Sequence, residues 1–389
     1  MRAAVFTGSD LRSFGGGEKD LIGWANKVRG FSVTIFSFCD SSNVRVSRNE
    51  IMTMISPQVN VSYYRAIKIK YVRDLMPFSF SGLRSLWSLR KYDVVYSMHQ
   101  GIFLNGIIVL VCKVFGIRYI LGIHSPILFD SKPLENNAVK RILMKPFVAY
   151  RNFLISHIDN VRIQNSTDEA SVRSTGFKGE IYNIPPHVFD QSKIGQIGSN
   201  SNSFSALFVG RLSVIHKGLD LLEEIVNITL QKNQEIRFII IGSGREGDEI
   251  VKRITHLFPQ NVQWKGFVKE EELVEEYRNA SLFVFPSRGE NFGISLGEAQ
   301  MNGLPSVAFR VMGSEDLITM DTLGKLAKPF DTKEFSELII QYYSKWKDDP
   351  EGYLQMKRQI SSSAMERFSD EAMLVAIDVM LTGRGGSTS

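Results

Sequence analysis

The stretch SRGENFGISLGEAQMNGLPSVAF, residues 287–309, determines how the rest of the chain is interpreted. The run at residues 282–286 just before it and the run at residues 305–309 are short and apolar, which is typical of buried strands. Between them the sequence predicts a helix that begins near Gly293 or Ile294. The start of a helix offers unpaired N–H groups and the positive end of the helix dipole, and both attract phosphate.

Two glutamates flank this helix start: Glu290 lies in the loop before it, and Glu298 lies one turn inside it. Glutamates in such positions are most often solvated surface charge. The stretch, however, resembles the motif of a glutamate, seven residues and a second glutamate in retaining glycosyltransferases of family 4. The resemblance continues through Phe292-Gly293 and residues 298–305, so it covers more than the two acidic positions.

The resemblance implies a GT-B fold, in which two Rossmann-like domains face each other across a cleft and a C-terminal helix returns to the N-terminal domain. It also implies that Glu290 and the backbone amides beside it hold the donor sugar, while Glu298 holds the ribose of the nucleotide. The other positions that it assigns to the donor here are Asn291, Phe292, Gly293, Ile294 and Ser295.

Length and composition fit a globular protein of two domains. A chain of 389 residues is long for one core, and 43% hydrophobic with 22% charged residues is typical of globular chains. The net charge of +5 suits a nucleotide, an anionic membrane or nucleic acid without choosing among them. Cys39 and Cys112 have no metal-ligand spacing, which favours a reducing cytoplasm. The apolar segment at residues 101–123 contains Asn105, Lys113 and Arg118, so no transmembrane helix is predicted.

Strands alternate with helices along the chain, which predicts doubly wound parallel sheets with ligands beyond the carboxyl ends of the strands. The polar stretch at residues 190–204 is rich in Ser, Asn and Gly and is predicted to be a linker. The expected domains are therefore residues 1–189, joined by a return helix at about 370–382, and residues 205–369.

Two features of the first half are candidates for ligand contact. Gly16 and Gly17 lie between a strand and a helix, where a backbone without Cβ atoms can approach a ligand closely. This loop resembles the GGxE-type loop of family 4, which implies contact with the donor diphosphate or the acceptor. His124 ends another strand. A lone histidine is more often a structural hydrogen-bonding group, but His124 resembles the histidine that family members place beside the donor sugar.

The second half carries two cations in one strand-to-helix loop, Arg211 and Lys217, and these could converge on a diphosphate. Basic loop residues are usually just solvated. The order Gly-Arg-Leu followed by Lys-Gly nevertheless resembles the diphosphate-binding pair of family 4. Gly242 belongs to a partial glycine fingerprint after a strand, and the resemblance assigns backbone groups around Phe267 and Val268 to the nucleotide base.

Sugar transfer from a nucleoside diphosphate needs charge stabilisation on the departing phosphate, which the two cations and the helix start would provide. The sequence contains no Asp-x-Asp triplet, so we expect a reaction without a metal, and the resemblance to family 4 implies a retaining hexosyltransferase without a cofactor. Its donor would be a UDP- or GDP-sugar, and its acceptor a glycan or a lipid-linked acceptor. A sugar-nucleotide epimerase and a non-catalytic binding subunit of the same fold are the alternatives.

A basic and aromatic stretch at residues 63–92 predicts a peripheral contact with an anionic membrane, and the resemblance to family 4 implies that this is the cytoplasmic face. Its cations are Arg65, Lys68, Lys70, Arg73, Arg84, Arg90 and Lys91. The alternative is a strand followed by a solvated helix whose apolar side faces the core. Nucleic acid is not expected as a partner, because the cations come without a recognisable binding module.

Overall fold

The computed structural model describes residues 1–7, 10–14, 16–39, 44, 46–65, 86–98, 102–123, 138–186, 197, 203–244 and 246–384. The chain divides into two compact units. Unit 1 comprises Met1–Val188 together with Asp370–Ser389, and unit 2 comprises Phe189–Ser369.

The described part of unit 1 contains a parallel sheet in the order β3-β2-β1-β4-β5-β6-β7. Its strands are β1 (Arg2–Phe6), β2 (Ser32–Cys39), β3 (Val59–Arg65), β4 (Val94–Ser97), β5 (Arg118–Gly122), β6 (Asn160–Ile163) and β7 (Glu180–Asn183). Its helices are α1 (Gly16–Lys27), α2 (Arg48–Met54), α3 (Ile102–Phe115), α4 (Ala138–Ser156) and α5 (Thr167–Ser174), with 3-10 turns at Leu11–Ser13 and Trp87–Lys91. The central strands β1, β4, β5 and β6 are almost wholly buried, as parallel sheets covered on both faces require, whereas the edge strand β7 is not.

A fully buried ion pair fixes α1 in unit 1. The guanidinium of Arg162 on β6 lies 3.0 Å from the carboxylate of Asp20 on α1, and neither side chain is exposed. Arg162 also donates to the hydroxyl of Tyr96 at 3.3 Å and to the carbonyl oxygen of Pro185 at 3.0 Å. Since α1 begins in the glycine loop, this network sets the position of that loop relative to the sheet.

Unit 2 also contains a parallel sheet, in the order β10-β9-β8-β11-β12-β13. Its strands are β8 (Ser205–Val209), β9 (Arg237–Ile241), β10 (Val262–Gly266), β11 (Leu282–Phe285), β12 (Ser306–Phe309) and β13 (Gly324–Ala327). Its helices are α6 (Val214–Lys217), α7 (Leu219–Lys232), α8 (Asp248–Leu257), α9 (Glu270–Asn279), α10 (Ile294–Met301), α11 (Ser314–Leu317), α12 (Thr332–Asp348) and α13 (Pro350–Arg367). The prediction of doubly wound parallel sheets is confirmed.

The last helix, α14 (Asp370–Thr382), belongs to unit 1. Ile377, Met380 and Leu381 are buried in the same apolar cluster as α1 and β1. The guanidinium of Arg118 donates to the carbonyl oxygen of Met380 at 3.1 Å. Unit 1 is therefore built from two separate segments of the chain.

No helix in the described part of the chain is long and apolar enough to cross a membrane.

Candidate functional site

The strand order of unit 2 reverses between β8 and β11, because the chain continues to one side from β8 and to the other from β11. The loops that leave the carboxyl ends of two such strands diverge and leave a crevice, which is where ligands bind in doubly wound sheets. Arg211 and Lys217 follow β8, and Glu290 follows β11. The topology thus brings the main predicted site residues of unit 2 to one place.

The loop after β8 closes into the short helix α6. The hydroxyl of Ser213 accepts the backbone N–H of His216, and Gly218 ends the helix with a φ of 64°. A Cβ atom on Gly218 would lie 2.2 Å from the carbonyl oxygen of Pro286. Only glycine permits this approach between the loops after β8 and β11.

Lys217 and Glu290 form an ion pair across the two loops. The Lys217 ammonium lies 2.7 Å from the Glu290 carboxylate, and the side chains are only 15% and 21% exposed. The same ammonium lies 5.3 Å from the ring centre of Phe285 at the end of β11. Arg211 is in the same loop as Lys217 but is exposed. The structure therefore joins Lys217 to Glu290 and leaves the Arg211 side chain facing solvent.

The backbone of Glu290 is held from a third loop. Its N–H donates to the carbonyl oxygen of Met312 at 3.1 Å. Gly313, with a φ of 86°, lies so close that its Cβ atom would be 2.5 Å from the Glu290 carbonyl oxygen. The loops after β8, β11 and β12 thus fix the position of this carboxylate.

Helix α10 begins at Ile294, as the sequence predicts, and Gly293 precedes it with a φ of 84°. By helix geometry the N–H groups of its first residues, Ile294 and Ser295, have no partner inside the helix. The neighbouring Phe292 is buried and packs edge-on against Phe368 at 5.9 Å. Asn291 is half-buried in the loop. These residues form a helix start suited to an anion.

Glu298 has a partner that the sequence does not reveal. The buried hydroxyl of Tyr277 on α9 donates to the Glu298 carboxylate at 2.8 Å. Burial, followed by the charge of Glu298, raises the pKa of Tyr277 well above its ordinary value. The hydroxyl therefore stays protonated and orients one carboxylate oxygen. Tyr277 is an apolar-face residue in the helix pattern, and nothing in that pattern signals the contact.

A second unpredicted contact joins the same loops near Lys217. The guanidinium of Arg288 donates to both carboxylate oxygens of Asp220, at 2.7 and 2.6 Å, and to the carbonyl oxygen of Val214 at 2.6 Å. Its backbone N–H donates to the carbonyl oxygen of His216 at 2.9 Å. The hydrogen bond to Arg288 lowers the pKa of Asp220. Arg288 thus links the loop after β11 to both ends of α6.

The ends of β9 and β10 carry the remaining predicted residues of unit 2. Gly242 has a φ of 137°, and its Cβ atom would lie 1.8 Å from the carbonyl oxygen of Gly210, so the two loops touch through backbone atoms. Phe267 follows β10 with 83% of its surface exposed, whereas Val268 is buried. An exposed aromatic ring at a strand end offers a stacking surface for a planar base.

The predicted residues of unit 1 are only partly described. Gly16 and Gly17 open α1, and a Cβ atom on Gly17 would lie 3.8 Å from the Met98 side chain at the end of β4. His124 lies outside the described residues, as do residues 66–85 of the stretch predicted to contact a membrane.

Residues 190–361 match the family model of glycosyl transferases group 1. The GtfA subunit of a UDP-N-acetylglucosamine–peptide N-acetylglucosaminyltransferase from Streptococcus parasanguinis is 30% identical over 189 residues, which cover 46% of this chain and 36% of that protein. A GDP-mannose-dependent alpha-mannosyltransferase from Corynebacterium glutamicum is 33% identical over 127 residues, 33% of this chain and 28% of that protein. The matches thus span about a third of each relative's length.

The structure of Anabaena HepE in complex with UDP superposes with a TM-score of 0.76 at 16% identity, over 99% of this chain and 100% of that chain. A likeness at this identity shows the fold alone. The chain has the GT-B fold, and its resemblance to glycosyltransferases of that fold is confirmed.

Proposed function

Because residues 190–361 match glycosyl transferases group 1 and the chain has the GT-B fold, we propose that this protein transfers a sugar from a nucleoside diphosphate sugar to an acceptor hydroxyl. The observation that carries the proposal is the Lys217–Glu290 ion pair beside the start of α10, at the point where the strand order reverses. A cation, a carboxylate and free backbone N–H groups there are the groups that a sugar diphosphate needs.

The phosphates would be bound by Lys217, Arg211 and the first N–H groups of α10. When the bond between the sugar and the diphosphate breaks, negative charge grows on the departing phosphate. Groups that are already in position stabilise that charge without further rearrangement. The exposed guanidinium of Arg211 is long enough to swing toward a bound phosphate, and its planar donors suit bidentate contact.

The sugar and the ribose would be bound by the two glutamates. Glu290, whose backbone is held by Met312 and Gly313, would accept hydrogen bonds from sugar hydroxyls. Glu298, oriented by Tyr277, would accept hydrogen bonds from the ribose. The exposed ring of Phe267 would stack on the base.

Retention of the anomeric configuration and independence from metal are further parts of the proposal. In a retaining reaction without a metal, Lys217 and Arg211 take the role that a divalent cation plays elsewhere. Glu290 then positions the sugar and does not attack it. Relatives named for UDP- and GDP-sugars both match, so we propose a donor of this class, with UDP-sugars tested first and a glycan or lipid-linked glycan as acceptor.

The decisive experiment incubates the protein with a panel of UDP- and GDP-sugars, with and without glycan and lipid-linked acceptors, and measures the release of free nucleoside diphosphate. Acceptor-dependent release with formation of a glycoside supports transfer. Conversion of the donor to an epimeric nucleotide sugar without an acceptor indicates the epimerase alternative, and binding without any conversion indicates a non-catalytic subunit. Proton NMR of the product, and the same assay in EDTA, test retention and metal independence.

A further inference from the structure

Helix α3 is apolar on the face that points away from the core of unit 1. Ile108, Val109 and Cys112 are buried against the sheet, yet Leu110 and Val114 on the other side are 63% and 70% exposed. A surface helix normally carries polar residues on its outer face. The outer face of α3 therefore has the character of a surface that contacts something apolar.

The apolar area continues onto the neighbouring elements. Trp87 is 62% exposed, and its ring lies edge-on to that of Phe115, with centres 6.1 Å apart. On α4, Tyr150 packs so closely on Gly106 of α3 that a Cβ atom there would lie 2.0 Å from the Tyr150 hydroxyl. One turn further along α4, Phe153 is 58% exposed. We call this set the α3–α4 face: Trp87, Leu110, Val114, Phe115, Tyr150 and Phe153.

The elements that form the α3–α4 face carry cations and no carboxylates. The turn Trp87–Lys91, α3 and α4 contain no aspartate or glutamate, although the whole chain contains 41. Among the side chains of these three elements that the structure describes, the exposed cations are Arg90, Lys91, Lys113 and Lys145. The guanidinium of Arg90 lies 5.0 Å from the centre of the Trp87 ring. The nearest carboxylate in sequence, Asp93, accepts the backbone N–H of Arg2 at 2.7 Å.

We propose that the α3–α4 face binds the surface of an anionic lipid bilayer. Exposed aliphatic and aromatic side chains enter the boundary between headgroups and acyl chains, and cations around them bind anionic headgroups. A nucleic acid would complement the positive charge of these elements. Its phosphates and sugars, however, would offer no apolar contact to exposed aliphatic side chains such as Leu110 and Val114. With 14 residues α3 is about 21 Å long, shorter than the roughly 30 Å hydrocarbon core, so it lies in the interface without spanning it.

This inference is separate from the donor site, which lies in unit 2. It extends the membrane contact predicted from residues 63–92 to two helices that the prediction did not include. Trp87, Arg90 and Lys91 are common to both.

The test is cosedimentation of the full chain with vesicles of phosphatidylcholine alone and of phosphatidylcholine with phosphatidylglycerol, at low and high salt. We expect binding to the anionic vesicles that weakens with salt. Leu110→Glu should weaken binding by about tenfold or more, because it places a charge at the centre of the apolar area. Arg90→Ala should weaken it by about fivefold, as expected for one cation near an anionic surface.

The matched control is Leu257→Glu, which changes a leucine of 60% exposure on α8 of unit 2 and should bind vesicles like the unchanged protein. Thermal melts and calorimetry with UDP verify that each variant is folded. Absence of binding to any vesicle, or equal binding by Leu110→Glu, would overturn the proposal. A dimer detected by light scattering and disrupted by Leu110→Glu would also overturn it, because a second copy of the chain would then cover this face. RNA binding that Leu110→Glu leaves unchanged, together with no binding to any vesicle, would overturn it as well.

Discussion

The Lys217–Glu290 ion pair is the residue-scale feature on which the proposed reaction depends. Neither side chain belongs to the apolar core: Lys217 ends the short helix α6 after β8, and Glu290 lies in the loop after β11. We expect Lys217→Ala and Glu290→Ala each to raise the activation barrier for sugar transfer by about 2–4 kcal/mol, because a charged contact to the donor is lost. Melting temperatures should change little. Steady-state kinetics and thermal melts of both variants measure the two effects.

The control for this pair is Glu223→Ala, which removes the exposed ion pair between Glu223 and Arg253 on α7 and α8 and should leave transfer unchanged. Near-normal turnover in either site variant would exclude that residue from the reaction.

Lys357 on α13 is a buried cation outside the candidate site. Its ammonium donates to the carbonyl oxygen of Ala280 at 3.0 Å, and burial lowers its pKa from 10.5 to about 8. Between pH 8 and 10.5 the unfolded chain therefore binds more protons than the folded chain, and the free energy of unfolding rises with pH. A shift of this size corresponds to at most about 3 kcal/mol.

Urea unfolding of the unchanged protein and of Lys357→Met, compared at several pH values from 7 to 10.5, measures this contribution. The stability of the unchanged protein relative to Lys357→Met should be constant below pH 8 and should increase above it. A difference that is flat across the range would show that Lys357 keeps its ordinary pKa in the folded protein, and a difference that falls with pH would show that its pKa is raised there.

At single positions the sequence predicts the chemical role of a side chain better than it predicts which other side chains contact it. Glu290 and Lys217 could be selected because their neighbours resemble a known motif. Tyr277 and Glu298 are 21 positions apart, and their hydrogen bond depends on how α9 packs beside α10. The contact between Arg288 and Asp220 spans 68 positions. Neither pair has a local signal, because each arises only when two helices or loops are placed by the sheet.

At the scale of elements, the loops of the candidate site are held together by backbone contacts that exclude a Cβ atom. Gly242→Ala would place a methyl group 1.8 Å from the carbonyl oxygen of Gly210 at a φ of 137°. We expect the free energy of unfolding to fall by roughly 1–3 kcal/mol from backbone strain alone, and the clash with Gly210 should lower it further. UDP should bind more weakly, because the loop that carries Arg211 must move. Calorimetry with UDP and thermal melts measure both.

Gly289→Ala is the matched control, since Gly289 lies in the same site and a Cβ atom there would meet nothing within 4 Å. If Gly242→Ala bound UDP and melted like Gly289→Ala, the contact between the two loops would not matter for the site.

Strands such as β8 and β11 and the start of α10 follow from local pattern, because these strands are short apolar runs and Gly293 takes the positive φ that precedes the helix. Helices α12 and α13 are not among the elements predicted from the sequence. Their buried residues, such as Phe335 and Tyr353, are defined by packing against the rest of unit 2. Local patterns therefore predict that an element exists, while the partner it packs against comes from the tertiary fold.

At the scale of the molecule, the two segments of unit 1 meet through α14. Met373, Ile377, Met380 and Leu381 are at most 4% exposed, and Lys27 pairs with Asp370 at 2.6 Å. Burial of four such side chains contributes roughly 6–12 kcal/mol, comparable to the whole stability of a typical domain. Unit 2, by contrast, is one continuous segment with its own core.

A chain that ends at Ser369 should therefore lose the cooperative melting of unit 1 while unit 2 still unfolds as a unit. Differential scanning calorimetry of this truncated chain measures the effect, and hydrogen exchange assigns it to β1 and α1. Ile377→Asp should destabilise unit 1 strongly, because it buries a charge without a partner, whereas Val375→Asp, at a position 57% exposed on the same helix, should be nearly neutral. Equal melting of the two variants, or intact protection of β1 in the truncated chain, would show that unit 1 folds without its C-terminal segment.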